Sequence, residues 1–100
     1  MTRPGRITPE EVDAALGVGS TWTRRGDVLH LEHRFASFAA AVGFVAAVAT
    51  HAAALDHHPD IDVRYDRVVL EVTTHDAGGL TQLDLELARR VEALLAHPST

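Results

Sequence analysis

One hundred residues suffice for one domain and are too few for two, since autonomous domains cluster at ~100 to 150 residues. With 46% hydrophobic and 23% charged residues, the composition is that of a compact globular domain and not of a disordered or low-complexity chain. Nine Arg and no Lys against 14 Asp and Glu give a net charge of −5, which disfavours direct nucleic-acid binding, and the lack of cysteine excludes a disulfide scaffold, a thiolate nucleophile and any Cys-containing zinc site.

The start, Met1-Thr2-Arg3-Pro4-Gly5-Arg6, carries no apolar stretch behind its arginines and does not read as a secretory signal, so a cytoplasmic location is the expectation. Thr8-Pro9-Glu10-Glu11 supplies an N-cap, a proline at the first helical position and a glutamate three residues after the cap, which predicts a short helix to about Leu16. Gly17 and Gly19 end it. Two strands follow, Thr21 to Arg24 and Val28 to Phe35, around the turn residues Gly26-Asp27. In the second strand Leu29, Leu31, His33 and Phe35 share one face, and Val28, His30, Glu32 and Arg34 the other.

From the N-cap candidate Ser37 to Leu55 the chain is Ala-rich and free of charge, which predicts a long helix. Its ~27 Å at ~1.5 Å per residue approaches a membrane span. The low hydrophobicity of Ala, the interruption by His51 and the lack of flanking aromatic or basic residues argue against one. Two apolar stripes, Phe35/Phe38/Val42/Val45/Ala49/Ala52 and Phe44/Val48/His51/Leu55, predict burial on two sides, one against a sheet and one against a second helix or another subunit.

Beyond Asp56-His57-His58-Pro59-Asp60 the pattern returns to strand, Asp62 to Tyr65 and Val68 to Thr74 around an Asp66-Arg67 turn, with His75 at the strand end and Tyr65 packed. Gly78-Gly79 turns the chain, and Thr81-Gln82-Leu83-Asp84, a capping box with Asp in place of Glu, opens a helix to about Ala96. The order predicts one α+β domain, core about 8–96, built as a four-stranded antiparallel sheet with helices packed on one face. The first seven and last four residues read as free termini.

Seven histidines are the compositional oddity. His57 and His58 lie where the long helix gives way to a loop, and one hairpin later the chain returns to its start at His75, so all three imidazoles can meet in one pocket. With an unperturbed pKa of ~6.5, imidazole both gives and takes protons near neutrality, which points to acid–base work. His30, His33, His51 and His97 read as ordinary polar residues. Asp56, Asp60 and Asp76 could join the three histidines as metal ligands, but adjacent histidines diverge and neither HExxH nor a two-histidine helix pattern is present. Ser20, Ser37 and Ser99 sit in no nucleophile elbow, and no phosphate-binding glycine motif occurs.

The run Leu55-Asp56-His57-His58-Pro59, with Tyr65, Val68, Thr74-His75, Gly79-Leu80 and Asp84, preceded by Phe35-x-x-Phe38 and Gly43-Phe44, resembles the pterin-4a-carbinolamine dehydratases over Trp22 to Leu95. The resemblance implies a four-stranded antiparallel sheet with helices on one face. It also implies dehydration of a 4a-hydroxytetrahydropterin to the quinonoid dihydropterin with no metal or cofactor. His57 and His75 then correspond to the acid–base catalysts, His58 to a pterin-binding residue that assists, and Asp56, Thr73 and Thr74 to residues near the pterin, while Asp84 reads as the cap of the last helix. Dimers or tetramers are implied as well. Non-catalytic roles known in relatives are dimerisation of a transcription factor and assembly of a carbon-fixing enzyme, and a pterin role in molybdenum-cofactor metabolism would use the same pocket. Two departures stand out: Ala53 where members carry an acidic residue, and Leu83 where they carry Arg. The complete histidine set implies that activity survives the loss of that acidic partner, weakened or shifted in substrate preference.

Overall fold

Two β-hairpins meet along their second strands. In a computed structural model describing residues 5–96, the chain runs α1 (Pro9–Leu16), β1 (Thr23–Arg25), β2 (Val28–Arg34), α2 (Phe38–Leu55), β3 (Asp60–Arg64), β4 (Arg67–Val72), a 3-10 turn (His75–Ala77) and α3 (Gln82–Ala96). The strands form one antiparallel sheet in the order β1-β2-β4-β3, so the expected α+β architecture is the observed one.

Register explains the core. Leu29 lies opposite Val72 and Leu31 opposite Leu70 across β2 and β4, and all four are buried with Val68 under the helical layer. Removing side chains of this size from water contributes ~1.5 to 3 kcal/mol each. Val12 of α1, Ala41, Phe44 and Val48 of α2, and Leu85, Leu87, Ala88 and Val91 of α3 complete the layer. Trp22 is buried with them, its indole Nε1–H donating to the Ala88 carbonyl at 3.2 Å. The other sheet face carries Val28, His30, Glu32 and Arg34 beside Val69, Glu71 and Thr73, and no helix among the described residues covers it.

The caps read from the sequence are present. Thr8 and Glu11 exchange both capping-box bonds, and the Ser37 hydroxyl accepts from the Ala40 N–H at 3.1 Å. Boundaries shift where local chemistry intervenes. Strand β3 begins at Asp60, and Arg64 pairs with Arg67, so the turn is Tyr65-Asp66 and not Asp66-Arg67. Tyr65 adopts φ +57°, a left-handed conformation uncommon for an aromatic residue. Its side chain is 72% exposed, not packed in the core as expected, and its ring stacks at 6.5 Å on Phe38. Ile7 is no free terminus, since its N–H donates to the Leu80 carbonyl at 2.9 Å; the last four residues, His97 among them, lie outside the described ones.

Helix α2 is 18 residues long with mean hydropathy 1.9, enough by length and composition to cross a membrane. Its Ala41, Phe44, Val48 and Ala52 stripe packs on the sheet and on α3 instead. The first expected stripe divides: Ala52 is buried and Val45 half-buried, whereas Phe38 and Val42 face outward; of the second, Phe44 and Val48 are buried and Leu55 is half-buried.

Candidate active site

The cavity begins where α2 stops. Asp56 takes the left-handed conformation (φ +50°), its N–H reaching the Ala52 and Ala53 carbonyls, and the His57 N–H donates to the Ala52 carbonyl at 3.0 Å. This reversal sends successive side chains in opposite directions: His57 is 5% exposed, whereas His58 lies on the surface. Asp tolerates the left-handed region better than most residues with a Cβ, which suits it to this cap.

At the end of β4, Thr74 bridges to Gly79, each N–H donating to the other residue's carbonyl. The bridge closes a tight loop that displays His75 in the 3-10 turn, three residues past the end of β4 and not at a strand end as expected. A Cβ at Gly79 would come within 2.7 Å of Arg6 Nε, so a larger residue there would push the Arg6 side chain aside. Thr73 is anchored from the other side, its hydroxyl donating to the Asp27 carbonyl at 2.6 Å.

These two segments enclose a hollow of about 190 Å³ lined by Asp56, His57, His58, Thr73, Thr74, His75 and Asp76. All six residues singled out in the sequence therefore meet at one place, with Asp76 added. Thr74 lines the hollow and is also tied to the residues behind it. Its side chain is buried, and its hydroxyl bonds to Asp84 Oδ2 at 2.7 Å and to Thr81 Oγ1 at 2.9 Å, so it supports the wall.

Behind the wall lies the residue that sequence reasoning placed outside the site. Asp84 is fully buried, and its Oδ2 accepts from the Thr81 N–H at 2.8 Å, the expected capping bond, while its Oδ1 accepts from His57 Nε2 at 2.6 Å. One carboxylate thus caps α3 and fixes an imidazole from the far end of α2. A carboxylate only accepts, so Nε2 carries the hydrogen and Nδ1 keeps its lone pair. Among the described residues Nδ1 has no partner, and no buried side-chain nitrogen or oxygen lacks one, so Nδ1 is reachable from solvent. Asp84 was visible in the sequence as a capping residue and as part of the family motif, but neither signal pointed to His57.

The remaining described histidines serve elsewhere. His30 Nδ1 meets Glu71 at 2.9 Å, the His33 ring packs edge-on against Phe35, and His51 lies 3.5 Å from Arg90. No group of three or more His, Asp or Glu among the described residues has metal-binding geometry.

The profile of the family described as Pterin 4 alpha carbinolamine dehydratase matches residues 5–94. The chain belongs to this family. A Roseiflexus sp. (strain RS-1) protein provisionally named pterin-4-alpha-carbinolamine dehydratase is 43% identical, over 90% of this chain and 97% of that one. Another from Sulfurisphaera tokodaii, provisionally given the same name, is 38% identical over 90% of this chain and 97% of its own. The crystal structure of a transcriptional coactivator/pterin dehydratase from Brucella melitensis superposes with a TM-score of 0.84 at 34% identity, covering 90% of this chain and 98% of that one. A pterin dehydratase-like protein identified as a RuBisCO assembly factor in the alpha-carboxysome shares the fold at a TM-score of 0.61 and 24% identity, over 78% of this chain and 89% of that one. Ala53 is exposed one turn before His57, and Leu83 is half-buried beside Asp84.

Proposed function

We propose that this chain is a hydro-lyase that removes water from a 4a-hydroxytetrahydropterin to give the quinonoid dihydropterin, as a homo-oligomer and with no metal or cofactor. The observation that carries the proposal is the His57–Asp84 contact at 2.6 Å beside a cavity that His58 and His75 also line. Hydroxide is a poor leaving group, so the C4a oxygen must gain a proton as its bond to carbon breaks, while the ring nitrogen gives up a proton to a base. The two transfers balance to the loss of one water. His57, with its Nε2–H held by Asp84, takes or delivers a proton through Nδ1. His75 stands across the cavity as the complementary acid or base, and His58 binds the pterin and assists. Asp56 and the Thr73–Thr74 segment border the ring. Asp84 is a positioning residue that acts through His57.

The test is the rate of dehydration of substrate generated in situ by a phenylalanine hydroxylase, for the parent and for His57→Ala and His75→Ala. Acceleration over background in the parent, reduced ~10²- to 10⁴-fold in each variant, is expected. A folded parent that gives no acceleration refutes the proposal.

A further inference from the structure

His57 is held by a buried carboxylate, but His75 has no such support. Among the described residues its exposed imidazole makes no hydrogen bond, so its place is set by the backbone of the turn that carries it. Bonds inside the turn, from the Ala77 N–H to the Thr74 carbonyl and from the Gly78 N–H to the His75 carbonyl, fix its shape but not its direction. The two bonds of the Thr74–Gly79 bridge are long, 3.2 and 3.3 Å against the usual ~2.9 to 3.0 Å. Anchors outside the turn must therefore aim it.

Before His75, the Thr73 hydroxyl donates to the Asp27 carbonyl and the Thr74 hydroxyl bonds to Asp84. After it, the anchors come from the segment leading into α1. The Ile7 N–H donates to the Leu80 carbonyl, and the Ile7 side chain packs on the core, which brings Arg6 over Gly79. The three atoms nearest to where a Gly79 Cβ would stand are Arg6 Nε at 2.7 Å, Cζ at 3.2 Å and Nη2 at 3.3 Å, so the guanidinium lies against the Gly79 backbone. Gly79 does not adopt a positive φ, so what glycine supplies here is room for Arg6 and not conformational freedom. The same Nη2 lies 3.7 Å from Asp27 Oδ1. One side chain thus joins the far end of the His75 turn to the residue that already holds its near end.

We infer that Arg6 is a positioning residue for His75, a clamp from outside the cavity that closes on Gly79 and Asp27 and sets where the imidazole stands. The inference rests on the dehydratase reading for the part His75 plays in proton transfer. A general acid or base works only within hydrogen-bond reach of its proton, and a displacement of about 1 Å can cost ~10²-fold. Both members of the Arg6–Asp27 pair are more than half exposed, at 56% and 60%, so the ion pair alone is weak and the contact with Gly79 is the larger part of the clamp.

The experiment measures kcat and KM for dehydration in the parent, Arg6→Ala, Gly79→Ala and their double variant, each with His75 present and as His75→Ala. Amide hydrogen exchange is followed by NMR alongside, so the clamp is read independently of turnover. Arg6→Ala is expected to lower kcat by about three- to tenfold with KM within about twofold, the pattern of an interaction lost from the transition state alone. Gly79→Ala displaces the guanidinium and gives the same loss, and the double variant loses no more than either. In the His75→Ala protein none of these changes lowers the rate further. Exchange at the Thr74 and Gly79 N–H quickens by about threefold or more in Arg6→Ala, while that at Leu31 and Leu70 stays as in the parent. Arg6 is exposed, so Arg6→Ala carries the test should Gly79→Ala fail to fold. A kcat within twofold of the parent in Arg6→Ala, or a loss of equal size in the His75→Ala background, overturns the inference. A parent with no acceleration refutes the dehydratase reading, and the clamp then stands or falls on the exchange rates.

Discussion

Replacing Asp84 by Asn separates catalysis from stability. The parent carboxylate receives three bonds in a fully buried position, from His57 Nε2, Thr74 Oγ1 and the Thr81 N–H. Asn fills the same volume and offers one oxygen. With that oxygen turned to Thr74 and Thr81, the amide NH₂ faces His57, and Nε2 must become an acceptor. The imidazole hydrogen then moves to Nδ1, the reachable nitrogen, which loses its lone pair. Capping survives and a charge-assisted bond becomes a neutral one, so the stability cost is about 1 to 2 kcal/mol, or ~4 to 16 °C in Tm for a chain of this length. The rate falls much further, by ~10² to 10⁴, the upper figure being the loss measured when the carboxylate of a serine-protease triad is changed to an amide. Asp84→Ala instead abandons the buried donors and costs about 3 to 5 kcal/mol. Thermal melts followed by circular dichroism give the stability arm, single-turnover dehydration gives the catalytic arm, and ¹⁵N chemical shifts of His57 report the tautomer. A folded Asp84→Asn protein within threefold of the parent rate refutes the positioning role.

Restoring the acidic residue at the end of α2 with Ala53→Glu is expected to raise kcat/KM by ~10-fold, the worth of one charge-assisted hydrogen bond; an unchanged KM and rate would show that the missing carboxylate is not what this site lacks. Glu92 fastens the loop before β1 to α3: burial pushes its carboxyl up, but bonds from Ser20 Oγ, the Thr21 N–H and Thr21 Oγ1 outweigh this and hold it below its ordinary 4.5. A group lowered on folding stabilises fully above its unfolded value, and that stability is lost as pH falls through the folded one. Glu92→Gln should therefore flatten the decline of Tm below about pH 4.5, and an acid limb identical to the parent's would contradict it. Exposed Phe38, Val42 and Tyr65 on neighbouring elements predict self-association that Val42→Asp weakens, read by light scattering; a parent of monomer mass at all working concentrations refutes this.

Local chemistry made most of the fold readable. The Thr8 and Ser37 caps, the Gly26-Asp27 turn and the alternation through Leu29 and Leu31 act within a few residues and act as written. The errors lie where a longer-range demand overrides propensity. Tyr65 is a strand former placed in a left-handed turn because Arg64 must pair with Arg67. The pocket histidines could be grouped because one hairpin returns the chain to its start. Asp84 could not be joined to His57, because that contact depends on the end of α2 meeting the start of α3, and a capping motif carries no trace of a second partner.

The residues that line the cavity and the carboxylate behind it all fall between positions 56 and 84, one uninterrupted piece of the chain. The preceding half supplies the Asp27 carbonyl, the Val28 wall and the packing underneath. The chemistry is thus continuous along the chain but its placement is not, because the Ala52 and Ala53 carbonyls that hold the reversal at Asp56 and His57 belong to the preceding half.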